Sequence, residues 1–179
     1  MREQSDEALM AKVARGDELA FRELTRRHFA AMLALAAHII GPADAEDVAQ
    51  DAFLRVWTNA PRWQPLAAFR TWLTRIVVNL CLDRKRRVPA LPLDVAGDPT
   101  DPTPGADQRL ASEELDRSVA AAIADLPERQ RAVIVLTYRE GLSNAETAAA
   151  LDTSVSAVET LLVRAKHALR ARLRHLNDE

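Results

Sequence analysis

Apolar side chains along the N-terminal part of the chain recur at helical spacing. Phe21, Leu24, Met32, Leu35 and Ile39 fall close to the i, i+3, i+4 pattern of an amphipathic helix, and Gly41-Pro42 ends that run. In the next segment, with Asp44 placed to cap it, Ala45, Val48, Ala49, Ala52, Phe53 and Val56 gather on one side of a helical wheel. Asp47, Gln50, Asp51 and Leu54 gather on the other. The first face predicts packing and the second a free acidic surface. Asn59 to Pro65 holds two prolines and predicts a loop that presents Trp63. A third helix is expected from Ala67 to Arg87, with Phe69, Leu73, Ile76 and Leu80 as its core stripe and Trp72 beside them.

Towards the C-terminus, Val119, Ala122, Ile123 and Leu126 predict a helix that stops near Pro127, and Glu128 to Glu140 predicts another, with Gly141 as a left-handed C-cap. Ser143-Asn-Ala-Glu146 has the form of a capping box, in which the serine accepts from the third helical amide and the glutamate reaches back. A short helix to Leu151 follows, then the turn Asp152-Thr-Ser. Ser156-Ala-Val-Glu159 repeats the box ahead of a long run with Val158, Leu162, Ala165 and Leu169 inward. Ser156, Thr160, Val163, Arg164 and His167 are left outward. Helix, short turn and helix make a helix-turn-helix, whose outward residues face the major groove when it binds DNA. An ordinary helical hairpin has the same pattern.

Five of the nine prolines, Pro89, Pro92, Pro99, Pro102 and Pro104, stand between Pro89 and Gly105 with Asp94, Gly97, Asp98 and Asp101. Proline lacks an amide donor and clashes inside a helix, so this stretch predicts a linker. The expected fold is all-α: two small helical domains, 1–88 and 113–179, joined by a flexible Pro/Asp-rich linker over 89–112, the second domain containing the helix-turn-helix. Asp107, Glu113, Glu114 and Asp116 continue the acidic run, which serves either as a solvated spacer or as a mimic of nucleic-acid charge. A length of 179 residues with only five glycines and 48% hydrophobic residues suits two small helical domains and excludes a wholly disordered chain. The single cysteine, Cys81, excludes an internal disulfide and any multi-cysteine zinc site and fits a reducing cytoplasm. No apolar run reaches the ~18 residues of a membrane span and the acidic N-terminus lacks a signal-peptide core, so a cytoplasmic protein without direct membrane insertion is expected.

A net charge of −2 argues against nucleic-acid binding until its segregation is considered. Arg62, Arg70, Arg75, Arg84, Lys85, Arg86 and Arg87 stand against Asp83 alone, with Trp63, Phe69 and Trp72 interleaved. Cations that neutralise phosphates beside rings that stack on unpaired bases form a single-strand surface. Arg164, Lys166, Arg170, Arg172 and Arg174 against Glu159 make the last helix and tail basic. Catalysis finds no support. Cys81 lies between Leu80 and Leu82 as a packed thiol, and His28, His38, His167 and His175 lack metal-ligand spacing. Asp47 and Asp51, one turn apart, lack further ligands for a divalent ion and better suit protein contact. No glycine-rich phosphate loop occurs, so no cofactor, metal or catalytic residue is expected.

With these segments in place, the chain resembles bacterial RNA polymerase sigma factors of the sigma-70 family, extracytoplasmic-function (ECF) type. Asp44-Ala-Glu-Asp-Val-Ala-Gln-Asp-Ala-Phe-Leu-Arg-Val-Trp57 is similar to the segment that docks on the clamp helices of the largest polymerase subunit. Phe69-Arg-Thr-Trp-Leu-Thr-Arg-Ile-Val-Val-Asn-Leu-Cys-Leu-Asp-Arg-Lys-Arg-Arg87 is similar to the helix that recognises and melts the minus-ten element. Leu126-Pro-Glu-Arg-Gln-Arg-Ala-Val, Gly141-Leu-Ser-Asn-Ala-Glu-Thr-Ala-Ala-Ala-Leu and Val155 to Lys166 resemble the minus-thirty-five domain and its recognition helix. The resemblance implies polymerase contact by Asp47, Gln50, Asp51 and Leu54, and minus-ten contact by Asn79 at an extruded base, helped by Trp63 and the 60–68 loop. Arg75, Lys85 and Arg86 would hold phosphates. Ser156, Glu159, Thr160, Val163, Arg164 and His167 would meet the minus-thirty-five duplex. The implied partners are core polymerase, at its clamp helices and flap, promoter DNA as duplex and melted non-template strand, and an anti-sigma factor. Two features depart from the family: Asp152 replaces the usual turn glycine, and Glu159 with Leu161 replaces frequent basic residues. Glu159 either accepts from cytosine or caps its own helix, the cap being favoured. The competing readings are a dimeric helix-turn-helix regulator on an operator and a small helical hydrolase using Asp47 and Asp51 with a metal.

Overall fold

The computed structural model describes the backbone of residues 4–87 and 106–174 and the side chains of residues 4–84 and 115–174. Regular structure among them is helical throughout: α1 (Asp6–Val13), α2 (Glu18–Ile40), α3 (Pro42–Asn59), a 3-10 turn (Ala60–Arg62), α4 (Phe69–Arg87), α5 (Ala106–Ala124), α6 (Glu128–Ile134), a π turn (Val135–Arg139), α7 (Asn144–Ala150) and α8 (Val155–Arg172). The all-α expectation holds.

Helix α1 is an addition to the expected set. Ser5 caps it by accepting from the Ala8 amide, and Leu9, Met10 and Val13 bury its inner face. Its carboxylates then organise other helices. Asp6 accepts from Arg27 at 3.0 Å and pairs with His28 at 2.7 Å, while Glu7 accepts from the Phe69 amide at 3.4 Å where α4 begins. That contact goes with a start at Phe69 instead of Ala67. Helix α2 starts from Asp17, whose carboxylate accepts from the amides of Leu19 and Ala20. Leu24, Met32, Leu35 and Ile39 are fully buried along it, each contributing about 1.5–3 kcal/mol of transfer free energy.

Asp44 does not cap α3. Gly41 holds φ 93° and Pro42 opens the helix, its fixed φ being suited to a first turn and its missing donor being one that no partner would satisfy. Asp44 sits inside the first turn and faces Arg84. The expected core face, Ala45, Val48, Ala49, Ala52, Phe53 and Val56, is buried. In α4, Phe69, Leu73, Val77 and Val78 are buried, Leu80 is nearly so and Ile76 is partly exposed. Cys81 is fully buried and burial pushes its thiol up to about 12, so it is a packing group without nucleophilic character at neutral pH.

Residues 106–112 of the expected linker are helical, because Ala106-Asp-Gln-Arg-Leu-Ala-Ser contains neither proline nor glycine. Residues 88–105 lie outside the described residues. The helix expected over Glu128 to Glu140 is α-helical only to Ile134, where a π turn carries it to Arg139 and Glu140 N–H donates to Val135. Gly141, at φ 69°, ends it as expected. The box of Ser143 and Glu146 is present, and the Ser143 hydroxyl and amide, both donating to the Glu146 carboxylate, hold it below the usual range. The second box is not. Asp152 completes the turn at φ 50°, Ser154 is extended and accepts from the Ala157 amide, and Ser156 is already inside α8.

Helices α1 to α4 form one unit, with α2 against α1, α3 and α4. Helices α6 to α8 form a second, and the two meet where α7 lies on α4 and α6 approaches α2. Arg131, only 8% exposed, joins them. One guanidinium nitrogen donates to the Ile39 carbonyl at 2.8 Å and the other to the carbonyls of Leu126, at 3.0 Å, and Ala124. The cation thus sits at the C-terminal ends of α2 and α5, where unpaired carbonyls and helix dipoles favour positive charge. Burial lowers its pKa, opposed by nearby Glu128 and Asp125.

Candidate nucleic-acid and protein interfaces

Three surfaces follow from this packing. On the first, the inward residues of α3 leave Asp47, Gln50, Asp51 and Leu54 exposed, Leu54 by 60%. The face is less free than expected. Arg84 reaches from α4 to donate to Asp47 at 2.6 Å and to Asp44 at 3.1 Å, and Gln50 donates to Glu46. Asp51 has no ion-pair partner among the described residues. Beside it, Phe21, Phe29, Phe53, Leu54 and Trp57 line a groove of about 900 Å³ between α2 and α3. The Phe21 and Trp57 rings meet edge to face at 5.1 Å, which fixes its floor. The groove lining also carries Glu18, Arg22 and Arg26, and an apolar groove of mixed charge fits an amphipathic protein helix.

The second surface is a cleft of about 560 Å³ whose walls include Trp63, Trp72, Arg75 and Ile76. Trp63 leaves the 3-10 turn half-buried, its ring 6.2 Å from Trp72, which in turn lies 6.1 Å from Phe69. Arg75 is exposed. Asn79 is half-buried one turn along the same helix and lies outside the cleft lining. The side chains of Lys85 and Arg86 lie outside the described residues. Two cations of α4 face the second unit: Arg70 pairs with Glu140 at 3.1 Å and Arg75 with Asp152 at 3.4 Å.

The third surface is the outer face of α8. Val158, Leu162 and Ala165 are buried as expected, leaving Ser156, Glu159, Thr160, Val163, Arg164 and His167 exposed together, Val163 by 68%. The favoured cap role of Glu159 is not seen: Ser154 caps α8, and Glu159 has no hydrogen-bond partner among the described residues. Lys166 lies over the Tyr138 ring at 5.3 Å, and Arg172 approaches Asp125 at 3.8 Å. Among the described residues no group of three or more His, Cys, Asp or Glu is arranged to hold a metal ion, and no helix is long and apolar enough to cross a membrane. The contacts of Arg84 with Asp47, Arg131 with Ile39, Arg70 with Glu140 and Arg75 with Asp152 were not legible in sequence, since each spans 37 to 92 residues.

Residues 24–88 match the family Sigma-70 region 2 and residues 116–169 match Sigma-70, region 4. The first match includes the acidic face of α3 and helix α4, the second the helix-turn-helix. The chain is 38% identical over 179 aligned residues to the ECF RNA polymerase sigma factor SigM of Mycobacterium tuberculosis, covering 98% of this chain and 88% of the relative. It is 39% identical to the RNA polymerase sigma factor CnrH of Cupriavidus metallidurans, covering 96% and 95%. A solved structure of CnrH with the cytosolic domain of CnrY superposes with a TM-score of 0.68 at 34% identity, covering 96% of this chain and 99% of that one. The chain belongs to the ECF sigma factors of the sigma-70 family, and is a DNA-binding factor for transcription initiation.

Proposed function

We propose that residues 1–88 dock on core RNA polymerase and open the minus-ten element, that residues 113–179 read the minus-thirty-five element, and that 89–112 spans the distance between them. Asp51, Asp47, Gln50 and Leu54 meet the basic clamp helices of the largest subunit, with the groove at Phe53 and Trp57 receiving apolar side chains. Trp63 and Asn79 hold an extruded base, and Arg75, Lys85 and Arg86 hold phosphates of the displaced strand. Ser156, Glu159, Thr160, Val163, Arg164 and His167 face the duplex, with Glu159 left available to accept from a base. The observation that carries this reading is the coexistence in one chain of an acidic, groove-flanked helix face, an aromatic and basic cleft, and an exposed helix-turn-helix face. Linking two modest DNA contacts through one polymerase raises the effective concentration at the second site.

The protein acts by binding, without catalysis of its own, in the cytoplasm. An anti-sigma protein covers its polymerase-binding surface, a reading supported by the solved complex of CnrH with CnrY. The test is run-off transcription with core polymerase and fragments of the source genome. Discrete starts that require the protein are expected. Asp51→Arg should abolish copurification with core, and Asn79→Ala should retain core binding while lowering promoter opening. Normal core affinity in the Asp51 variant would overturn the docking assignment.

A further inference from the structure

The loop that carries Trp63 has little of its own to hold it. Residues 64–68 are exposed, and the hydrogen bonds there are local: the Trp63 amide donates to the Ala60 carbonyl at 3.2 Å and the Leu66 amide to that of Gln64 at 2.8 Å. Such a segment lies where the scaffold at its two ends puts it. Both ends rest on α1. The 3-10 turn that enters the loop packs against α1, with Ala60 buried. The loop leaves at Phe69, whose amide donates to the Glu7 carboxylate at 3.4 Å.

The residues at that exit explain why the acceptor comes from so far along the chain. Ala67 and Ala68 carry no side-chain oxygen to cap α4, and its first turn holds no acidic residue. Its orphan amides and positive dipole end are met instead by a carboxylate 62 positions away. Helix α1 is in turn fastened to α2. Arg27 donates to the Gln4 carbonyl at 2.7 Å and to Asp6 at 3.0 Å, and His28 pairs with Asp6 at 2.7 Å. The Asp6 and His28 side chains are 23% and 14% exposed, so solvent screens this fastening less than it screens a surface pair. The His28 ring lies 5.3 Å from that of Phe69, Phe69 lies 6.1 Å from Trp72, and Trp72 lies 6.2 Å from Trp63. Glu7 thus holds Phe69 by its amide, Asp6 bears on its ring through His28, and Phe69 supports the two tryptophans that line the cleft. We propose that Glu7 is a positioning residue for minus-ten recognition: by fixing the Phe69 amide it sets the exit of the 63–68 loop and the spacing of Trp63 and Trp72 that an extruded base meets. Glu7 itself is not part of the cleft lining. This inference rests on the minus-ten reading of that cleft. Phosphate contacts position a strand and base contacts select it, so a loosened loop loses base choice while Arg75 still holds the backbone.

The test uses holoenzyme reconstituted from core polymerase and the full chain. Fluorescein-labelled non-template oligonucleotides carry the minus-ten sequence of a mapped start, or that sequence with its bases replaced one at a time. Affinity is read by anisotropy, and the largest ratio between native and replaced sequence measures choice at the extruded base. Glu7→Ala should lower that ratio about three- to tenfold, the effect of losing one cap, with binding to the replaced sequence and to core unchanged. Glu7→Gln keeps an oxygen that accepts from Phe69 and should restore the ratio to within about twofold of the unaltered chain. Ser154→Ala removes a cap from the other unit and should leave the ratio as it was. An unchanged ratio in Glu7→Ala, an equal loss in Glu7→Gln, or the same loss in Ser154→Ala overturns the proposal. Trp63→Ala is read alongside. If it removes base choice while Glu7→Ala does not, the positioning role alone falls; if neither changes the ratio, the minus-ten reading falls with it.

Discussion

Arg131 shows what a single residue can do that its neighbours in sequence do not announce. In Leu126-Pro-Glu-Arg-Gln-Arg131 it reads as one of two solvated arginines, yet Arg129 is exposed and Arg131 is buried on three carbonyls. Removing the guanidinium leaves those carbonyls without a donor, and a buried polar group left unpaired costs its desolvation. Arg131→Met fills much of the same volume and should still lower stability by about 2–4 kcal/mol in urea unfolding. A loss under about 0.5 kcal/mol, the range of ordinary surface changes, would mean the cation is dispensable. The exposed site residues were legible because the helical wheel alone sorts them: Asp51, Leu54, Thr160 and Val163 all face outward as expected. The partner of Asp47 was not, because Arg84 arrives from another helix.

At the scale of elements, apolar periodicity located α2, α3, α4 and α8, and errors gathered at their ends. Ser156 and Ser154 are both serines ahead of an apolar run, and the local pattern favoured the one followed by Glu159. The backbone chose Ser154, because the left-handed residue two positions earlier leaves it extended and able to cap. The two serines should therefore separate in experiment. Ser154→Ala should cost about 1 kcal/mol of stability, while Ser156→Ala should leave the melting temperature nearly unchanged and weaken minus-thirty-five duplex binding by the holoenzyme. Reversal of that pattern in thermal melts would return the cap to Ser156. Helix α1 escaped notice because its apolar set, Leu9, Met10 and Val13, is short, and its value lies in carboxylates that reach α2 and α4.

Across the whole molecule, the proline-rich stretch separates two units along the sequence but carries no information on how they meet. Contacts between Arg75 and Asp152 span 77 positions, beyond any local pattern. A compact chain of this length has a radius of gyration of ~16 Å, and the free protein should scatter X-rays near that value. A markedly larger radius would place the units apart in solution. One further property concerns Cys81, the chain's one cysteine, buried with its thiolate suppressed at neutral pH. A cysteine introduced at the surface of α7 or α8 becomes the sole site open to a maleimide dye in the native protein. The unaltered chain is then its own unlabelled blank, and an environment-sensitive fluorophore can report on the surroundings of α7 or α8 without first removing a native thiol.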